Sequence, residues 1–201
     1  MAGDENLIRE YEEIHKTRNW GCTSVKNLRH LLPQIRTLRP KSIIDYGCGT
    51  SPLLELINVE SIEHRGRYDP AIPEYAEEPP GKYDLLVSID VLEHIAEEDL
   101  EEVLQHMDSL CKDAIIVVDT KPAQLLLADG RNAHICLHDH RWWQSRLEKQ
   151  FGPLTAFRVK RSSRAAFRTW PLSPLQKVKW AYWRFASSIS YLGRRLKGIK
   201  Y

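Results

Sequence analysis

Three short apolar runs constrain this chain more than any other feature. They are Ser42–Tyr46, Tyr83–Ile89 and Ala114–Val118, and an aspartate stands in or just after each: Asp45, Asp90 and Asp119. Apolar runs of this length read as strands buried on both faces. Between the last two lies a helical stripe, Leu100, Val103, Leu104, Met107 and Leu110, opened by Glu97, Glu98 and Asp99. Strands that alternate with helices predict an α/β fold, doubly wound, with a mostly parallel sheet and helices on both faces. Ile62–Tyr68 is a weaker strand, because His64, Arg65 and Arg67 are polar, and it ends at Asp69-Pro70. Leu154–Lys160 and Arg164–Thr169 read as an antiparallel C-terminal hairpin around Arg161-Ser162-Ser163. Helices are expected over Leu7–Ile14, from Thr23 or Ser24 (as cap) to Pro40, at the start of Pro52–Ile57, and over Arg141–Phe151.

At 201 residues the chain suits one sizeable core. This divides it into an N-terminal helical cap (1–40), a central α/β domain (41–170) and a C-terminal helix (171–201). No apolar run approaches the roughly 18 residues of a membrane span. The acidic start, Met1 to Asn6, has no apolar signal core. Cys22, Cys48, Cys111 and Cys136 form no paired motif and fit a reducing compartment. A cytoplasmic chain is therefore expected.

Charge is distributed very unevenly. Residues 1–148 carry a net −11 and residues 149–201 a net +13 with no acid, which together make the chain's +2. The basic segment points to an anionic partner: a membrane surface, a phosphorylated glycolipid or a nucleic acid; docking on the acidic body is the plainer reading. Ser173-Pro174-Leu175-Gln176 has the form of a capping box with proline at the first helical position. Leu175, Val178, Tyr182, Phe185, Ile189, Leu192 and Leu196 then recur at spacings of 3 and 4, with Trp180 and Trp183 near the border. A basic amphipathic helix with aromatic flanks suits a membrane interface, so a membrane-peripheral location is expected.

The chemistry concentrates at the ends of the strands. Asp45-Tyr46-Gly47-Cys48-Gly49-Thr50-Ser51 places glycines at a strand-to-helix turn, where backbone can approach a ligand closely. Asp69 follows 24 residues after Asp45, where a carboxylate accepts from both hydroxyls of a ribose. Asp90 ends the next strand, so all three groups fall on one edge of the sheet, the ligand edge of open α/β folds. A dinucleotide site would want a third glycine at the position that Pro52 holds.

Together, the stretches DYGCGTSP, YDP and DVLEHI resemble the class I (Rossmann-like) methyltransferases that use S-adenosylmethionine, in the group with an Asp-Val-Leu-Glu-His stretch after the fourth strand. The resemblance implies that Gly47, Cys48 and Gly49 pass beneath the methionine part of the cofactor. It implies further that Asp45 orients that loop or meets the amino group, that Asp69 holds the ribose, and that Asp90, Val91 and Leu92 line the reaction side. His94 is implied as a cap or a functional group. Two departures stand out. Ser51 replaces a third glycine, and residues 71–82, with Pro73, Pro79, Pro80 and Gly81, are too short for the usual helix, third strand and adenine loop. The third strand is thus expected to be missing or reduced. The run 129–134 and Arg141-Trp142-Trp143 resemble a subset with the same shortened segment.

Methyl transfer asks mainly for alignment and desolvation, though a hydroxyl acceptor benefits from a general base. His134, His138 and His140 fall in the loop over the active edge, and His138 or His140 is the expected base. Their spacing matches no strong metal motif, so no metal is assigned. Tyr11, His15, Arg18 and Trp20 are candidates for a lid, with a packing helix the plainer reading. The expected acceptor is a small molecule, sugar or lipid-linked glycan. Two alternatives stay open: nucleic-acid methylation using the basic tail, and a non-catalytic module with a degenerate cofactor site.

Overall fold

The computed structural model describes residues 5–17 and 23–196. Cys22, Arg18 and Trp20 lie outside the described residues, as do the side chains of Thr23 and Leu196. The elements run α1 (Glu5–Thr17), α2 (Thr23–Lys26), α3 (Leu28–Leu38), β1 (Ser42–Tyr46), α4 (Leu53–Leu56), β2 (His64–Tyr68), β3 (Tyr83–Ile89), α5 (Leu100–Ser109), β4 (Cys111–Asp119), α6 (His140–Phe151), β5 (Thr155–Ala156), β6 (Arg164–Arg168) and α7 (Pro174–Leu196).

Six strands form one sheet in the order β2-β1-β3-β4-β6-β5. The first four are parallel, and β6 and β5 close the sheet antiparallel, as the hairpin pattern requires. Alternation along each strand separates two cores. Ile44, Leu86, Ile116 and Val118 pack with Leu104, Met107, Trp143 and Leu147 of α5 and α6. Ile43, Leu85, Val87, Ile115 and Val117 pack with Leu31 and Ile35 of α3 and Leu53 of α4. The sheet is therefore covered on both faces.

The strand β2 is an edge, which explains its polar, exposed His64 and Arg65. Residues 71–82 contain a single 3₁₀ turn, Pro73–Tyr75, so no strand lies outside β2 among the described residues. The proline-rich segment crosses directly to β3. The β5 strand is shorter than expected, keeping only Thr155–Ala156, although Phe157 N–H still donates to Ala166 carbonyl at 2.9 Å.

The capping box of α7 is formed: Gln176 N–H donates to Ser173 Oγ at 3.3 Å, and Gln176 Oε1 accepts from Ser173 N–H at 2.9 Å. The helix lies on α3. Its inner face carries half-buried Trp180 and Trp183 and buried Ser187. Guanidinium groups anchor it from α3, with Arg36 4.8 Å from the Trp183 ring centroid and Arg29 4.5 Å from that of Tyr191. The apolar stripe faces outward: Leu175, Val178, Tyr182, Phe185, Ile189 and Leu192 are all exposed, Phe185 by 67%.

Candidate functional site

At the carboxyl ends of the parallel strands lies a cavity of about 570 Å³. It sits where β1 is flanked by β2 on one side and β3 on the other, the switch point at which open α/β sheets take ligands. Gly47, Cys48 and Gly49 form its floor, with φ of 71° at Gly47 and 49° at Gly49. A side chain at Gly47 would be strained by that backbone and would drive a Cβ into the methyl groups of Val91. The loop is held down by Gly47 N–H donating to Tyr68 carbonyl at 2.8 Å. Ser51 is compatible with the turn because its hydroxyl is used. Its Oγ lies 2.5 Å from Ser24 Oγ and accepts from Leu53 N–H at 3.2 Å.

Two carboxylates flank this loop. Asp69 Oδ2 accepts from Gly49 N–H at 2.7 Å, and Oδ1 accepts from Ala71 N–H at 3.0 Å. Burial pushes its carboxyl above the usual range, and these two amides and nearby His15 oppose that shift. Asp45 is buried at the edge of the cavity, and its Oδ2 has no hydrogen-bond partner. Burial raises its carboxyl to about 7; Arg67 works against the shift, while Asp69 and Glu55 add to it. A buried carboxylate oxygen without a partner on a cavity wall can be satisfied by a proton or by a cationic ligand.

Asp90 is placed differently from its neighbours. Its backbone is left-handed, φ 57°, and its side chain is committed to Arg164, with Arg164 Nε donating to Oδ1 at 2.6 Å and Nη2 to Oδ2 at 2.8 Å. Arg164 Nη2 also lies 3.4 Å from Asp119 Oδ2. No motif in the sequence marks Arg164; only the antiparallel pairing of Asp119 with Arg164 brings it there. Val91 lines the cavity, whereas Leu92 is a fully buried core residue packed beneath the α5 side of the sheet.

The helix α1 covers the cavity. Leu7 packs with Leu125, Leu127 and Ala133, and Tyr11 and His15 line the space below. Tyr11 hydroxyl donates to Ala133 carbonyl at 3.0 Å and lies 2.7 Å from His94 Nδ1. His94 is buried in a 3₁₀ turn, Leu92–His94, rather than at the start of α5. Burial lowers its imidazole to about 4, helped by neighbouring His134. Glu93 is wholly buried; its Oε1 accepts from Asp119 N–H at 2.9 Å, and its Oε2 has no partner. Burial raises the Glu93 carboxyl well above the carboxylate range, and Asp90 adds to this.

The structure does not bring His138 and His140 to this cavity. Asp139 caps α6 by accepting from Trp142 N–H at 2.8 Å, which turns the chain away from the strand ends. His138 instead stacks on Trp142 at 3.6 Å and bonds Glu97 at 2.9 Å, and His140 is exposed in the first turn of α6. The histidines on the cavity wall are His15, His94 and His134. Trp143 is a fully buried core residue, as a helix-packing role requires.

A family model described as a methyltransferase domain matches residues 17–195. No curated protein matches the sequence. Among solved structures, a Burkholderia thailandensis 1,6-didemethyltoxoflavin-N1-methyltransferase, with bound 1,6-didemethyltoxoflavin and S-adenosylhomocysteine, is similar with a TM-score of 0.59 at 14% identity, over 81% of this chain and 84% of that one. The methyltransferase domain of the bacterial protein CtHen1-CN gives 0.55 at 17% identity, over 71% of this chain and 96% of that one. The DhpI–SAH complex gives 0.54 at 13% identity, over 82% and 97%. At these identities the likeness establishes a shared fold.

Proposed function

The chain belongs to the methyltransferase-domain family, and we propose that its cavity binds S-adenosylmethionine and presents the methyl group to a small-molecule, sugar or lipid-linked acceptor. The observation that carries this reading is the cradle at the strand ends: a left-handed glycine loop between the unsatisfied oxygen of Asp45 and the pinned carboxylate of Asp69. Gly47, Cys48 and Gly49 lie under the methionine part. Asp45 Oδ2 receives its ammonium, and each Asp69 oxygen keeps a lone pair for a ribose hydroxyl. Asp90, spent on Arg164, contributes through its backbone beside Val91. The cofactor supplies an electrophilic methyl on a sulfonium, so the chain's own task is to align the acceptor and exclude water. The helix α1 serves the second task as a cap, through Tyr11 and His15.

Calorimetric titration with S-adenosylhomocysteine tests the reading. Binding is expected to tighten by about tenfold between pH 6 and pH 8, because the ammonium needs the ionised form of Asp45 and that carboxyl sits near 7. Asp45→Asn is expected to flatten the profile. In the free protein the sign is reversed. The raised folded-state value favours the protonated form, so the stability it contributes is full below about 4 and lost as pH rises towards 7. Folded protein with no affinity for S-adenosylhomocysteine would remove the enzyme reading and leave the non-catalytic module.

The outward stripe of α7 favours an acceptor near an anionic bilayer. Exposed Leu175, Tyr182, Phe185 and Ile189 lie beside exposed Lys177, Lys179 and Arg184, a combination that seats in a headgroup layer. No helix among the described residues is long and apolar enough to cross a membrane. The protein is expected to sediment with phosphatidylglycerol vesicles and not with phosphatidylcholine vesicles, and Phe185→Glu with Ile189→Glu to abolish this. Equal recovery with both lipids in the supernatant would remove the membrane reading. Steeply salt-dependent RNA binding would favour nucleic acid in its place.

A further inference from the structure

We propose that Glu93, His94 and His134 form a divalent-metal site on the wall of the cavity. Each offers one ligand atom, and these atoms all lie within 4.8 Å of one another. Metal–nitrogen and metal–oxygen bonds of about 2.0–2.2 Å require the ligands to approach somewhat closer. His134 stands on a loop and is half-buried, so a small side-chain rotation supplies that closure.

The proton positions are set by the backbone. His94 Nδ1 lies 2.9 Å from Ala133 carbonyl, which only accepts, and 2.7 Å from Tyr11 hydroxyl; with that hydroxyl donating to the same carbonyl, the Nδ1-protonated tautomer satisfies all three groups. His134 Nδ1 lies 2.5 Å from Lys121 carbonyl, which favours the same tautomer. In that tautomer each imidazole has its lone pair on Nε2. This is the arrangement of metal-ligating histidines, whose other nitrogen donates to a carbonyl or carboxylate that fixes the ring. Glu93 adds the third donor. It is wholly buried, Oε1 is used by Asp119 N–H, and Oε2 has no partner.

The surroundings are rich in carboxyl groups: buried Glu93 and Asp119 and half-buried Asp90 meet here, with the guanidinium of Arg164 among them. Two imidazoles and one carboxylate suit first-row ions such as Mn²⁺, Fe²⁺, Co²⁺ or Zn²⁺, and three protein ligands leave coordination positions open. His94 and His134 both line the cavity, so an ion held by them would border it. An acceptor oxygen bound there would become more acidic, which removes the need for a histidine base. That last role rests on reading the cavity as a methyl-transfer site; the binding of the ion does not.

The full chain, stripped with a chelator and without cofactor, is titrated with MnCl₂ while free Mn²⁺ is followed by electron paramagnetic resonance, then with ZnCl₂ by calorimetry. About one ion per chain is expected. Glu93→Gln and His134→Ala are each expected to weaken binding by more than about tenfold. His134→Ala is the safer variant, since the side chain is only half-buried. Three results overturn the proposal: neither ion binding the folded protein, binding that survives both variants, or binding lost in His138→Ala and retained in His134→Ala. The last would place the ion at Glu97, Cys136 and His138. A separate S-adenosylhomocysteine titration of the stripped protein reports on the cofactor reading alone.

Discussion

Asp69→Ala is expected to weaken S-adenosylhomocysteine binding by about 100-fold, close to 2.7 kcal/mol. Two effects combine. The ribose loses its acceptor, and the glycine loop loses its anchor, because Asp69 Oδ2 accepts from Gly49 N–H at 2.7 Å and Oδ1 from Ala71 N–H at 3.0 Å. Hydrogen bonds to a charged partner are worth about 1.5–3 kcal/mol each. Part of that loss is returned on folding, since burial already raises this carboxyl and the alanine is easily enclosed. The variant should therefore fold, which thermal unfolding checks, while calorimetry reads the lost affinity. Asp69→Asn is expected to fall between, because its amide keeps one acceptor but turns a donor towards a backbone N–H. Unchanged affinity in Asp69→Ala would place the ribose elsewhere and undo the assignment of this edge of the cavity.

The second large effect is on stability. Arg164→Met is expected to cost about 3–5 kcal/mol in urea unfolding, the range for breaking a buried ion pair from one side. Arg164 is 8% exposed and serves two carboxylates at once, Asp90 through two bonds of 2.6 and 2.8 Å and Asp119 at 3.4 Å. Without it buried Asp119 and half-buried Asp90 both lose the guanidinium between them. Arg164→Lys should recover little, since a single ammonium cannot reproduce the planar fork that Asp90 receives. Arg164→Met with Asp90→Asn should recover part of the loss, because the second change removes one stranded charge. A cost below about 1 kcal/mol for Arg164→Met would show that the pair is solvated and dispensable.

Asp69 and Arg164 differ in how far their neighbours along the chain announce them. Asp69 follows a strand and precedes a proline, at the distance from the glycine loop that a ribose-binding acid keeps. Arg164 carries no such mark. It is one of 13 basic residues in the last 53, and its partner Asp90 lies 74 positions away. Likewise, Tyr11 and His94 meet across 83 positions. His134 reaches the cavity while His138 and His140 do not, because the loop turns at Asp139 to begin α6.

The sheet, the helices and the glycine cradle were legible from residue order. Periods of 2 and 3.6, glycine at a left-handed turn and a capping box at Ser173–Gln176 are properties of neighbouring residues, and local backbone geometry enforces them. Amphipathicity of α7 was equally legible. Its orientation was not: α3 offers Arg29 and Arg36 to Tyr191 and Trp183, so the face with Trp180 and Trp183 turns inward and the stripe of Leu175, Val178, Tyr182, Phe185, Ile189 and Leu192 outward. That orientation, the Arg164 bridge and the meeting of Glu93, His94 and His134 exist only once the chain has closed on itself. Each depends on side chains brought together across long loops, and spacing along a chain does not encode where such a loop ends.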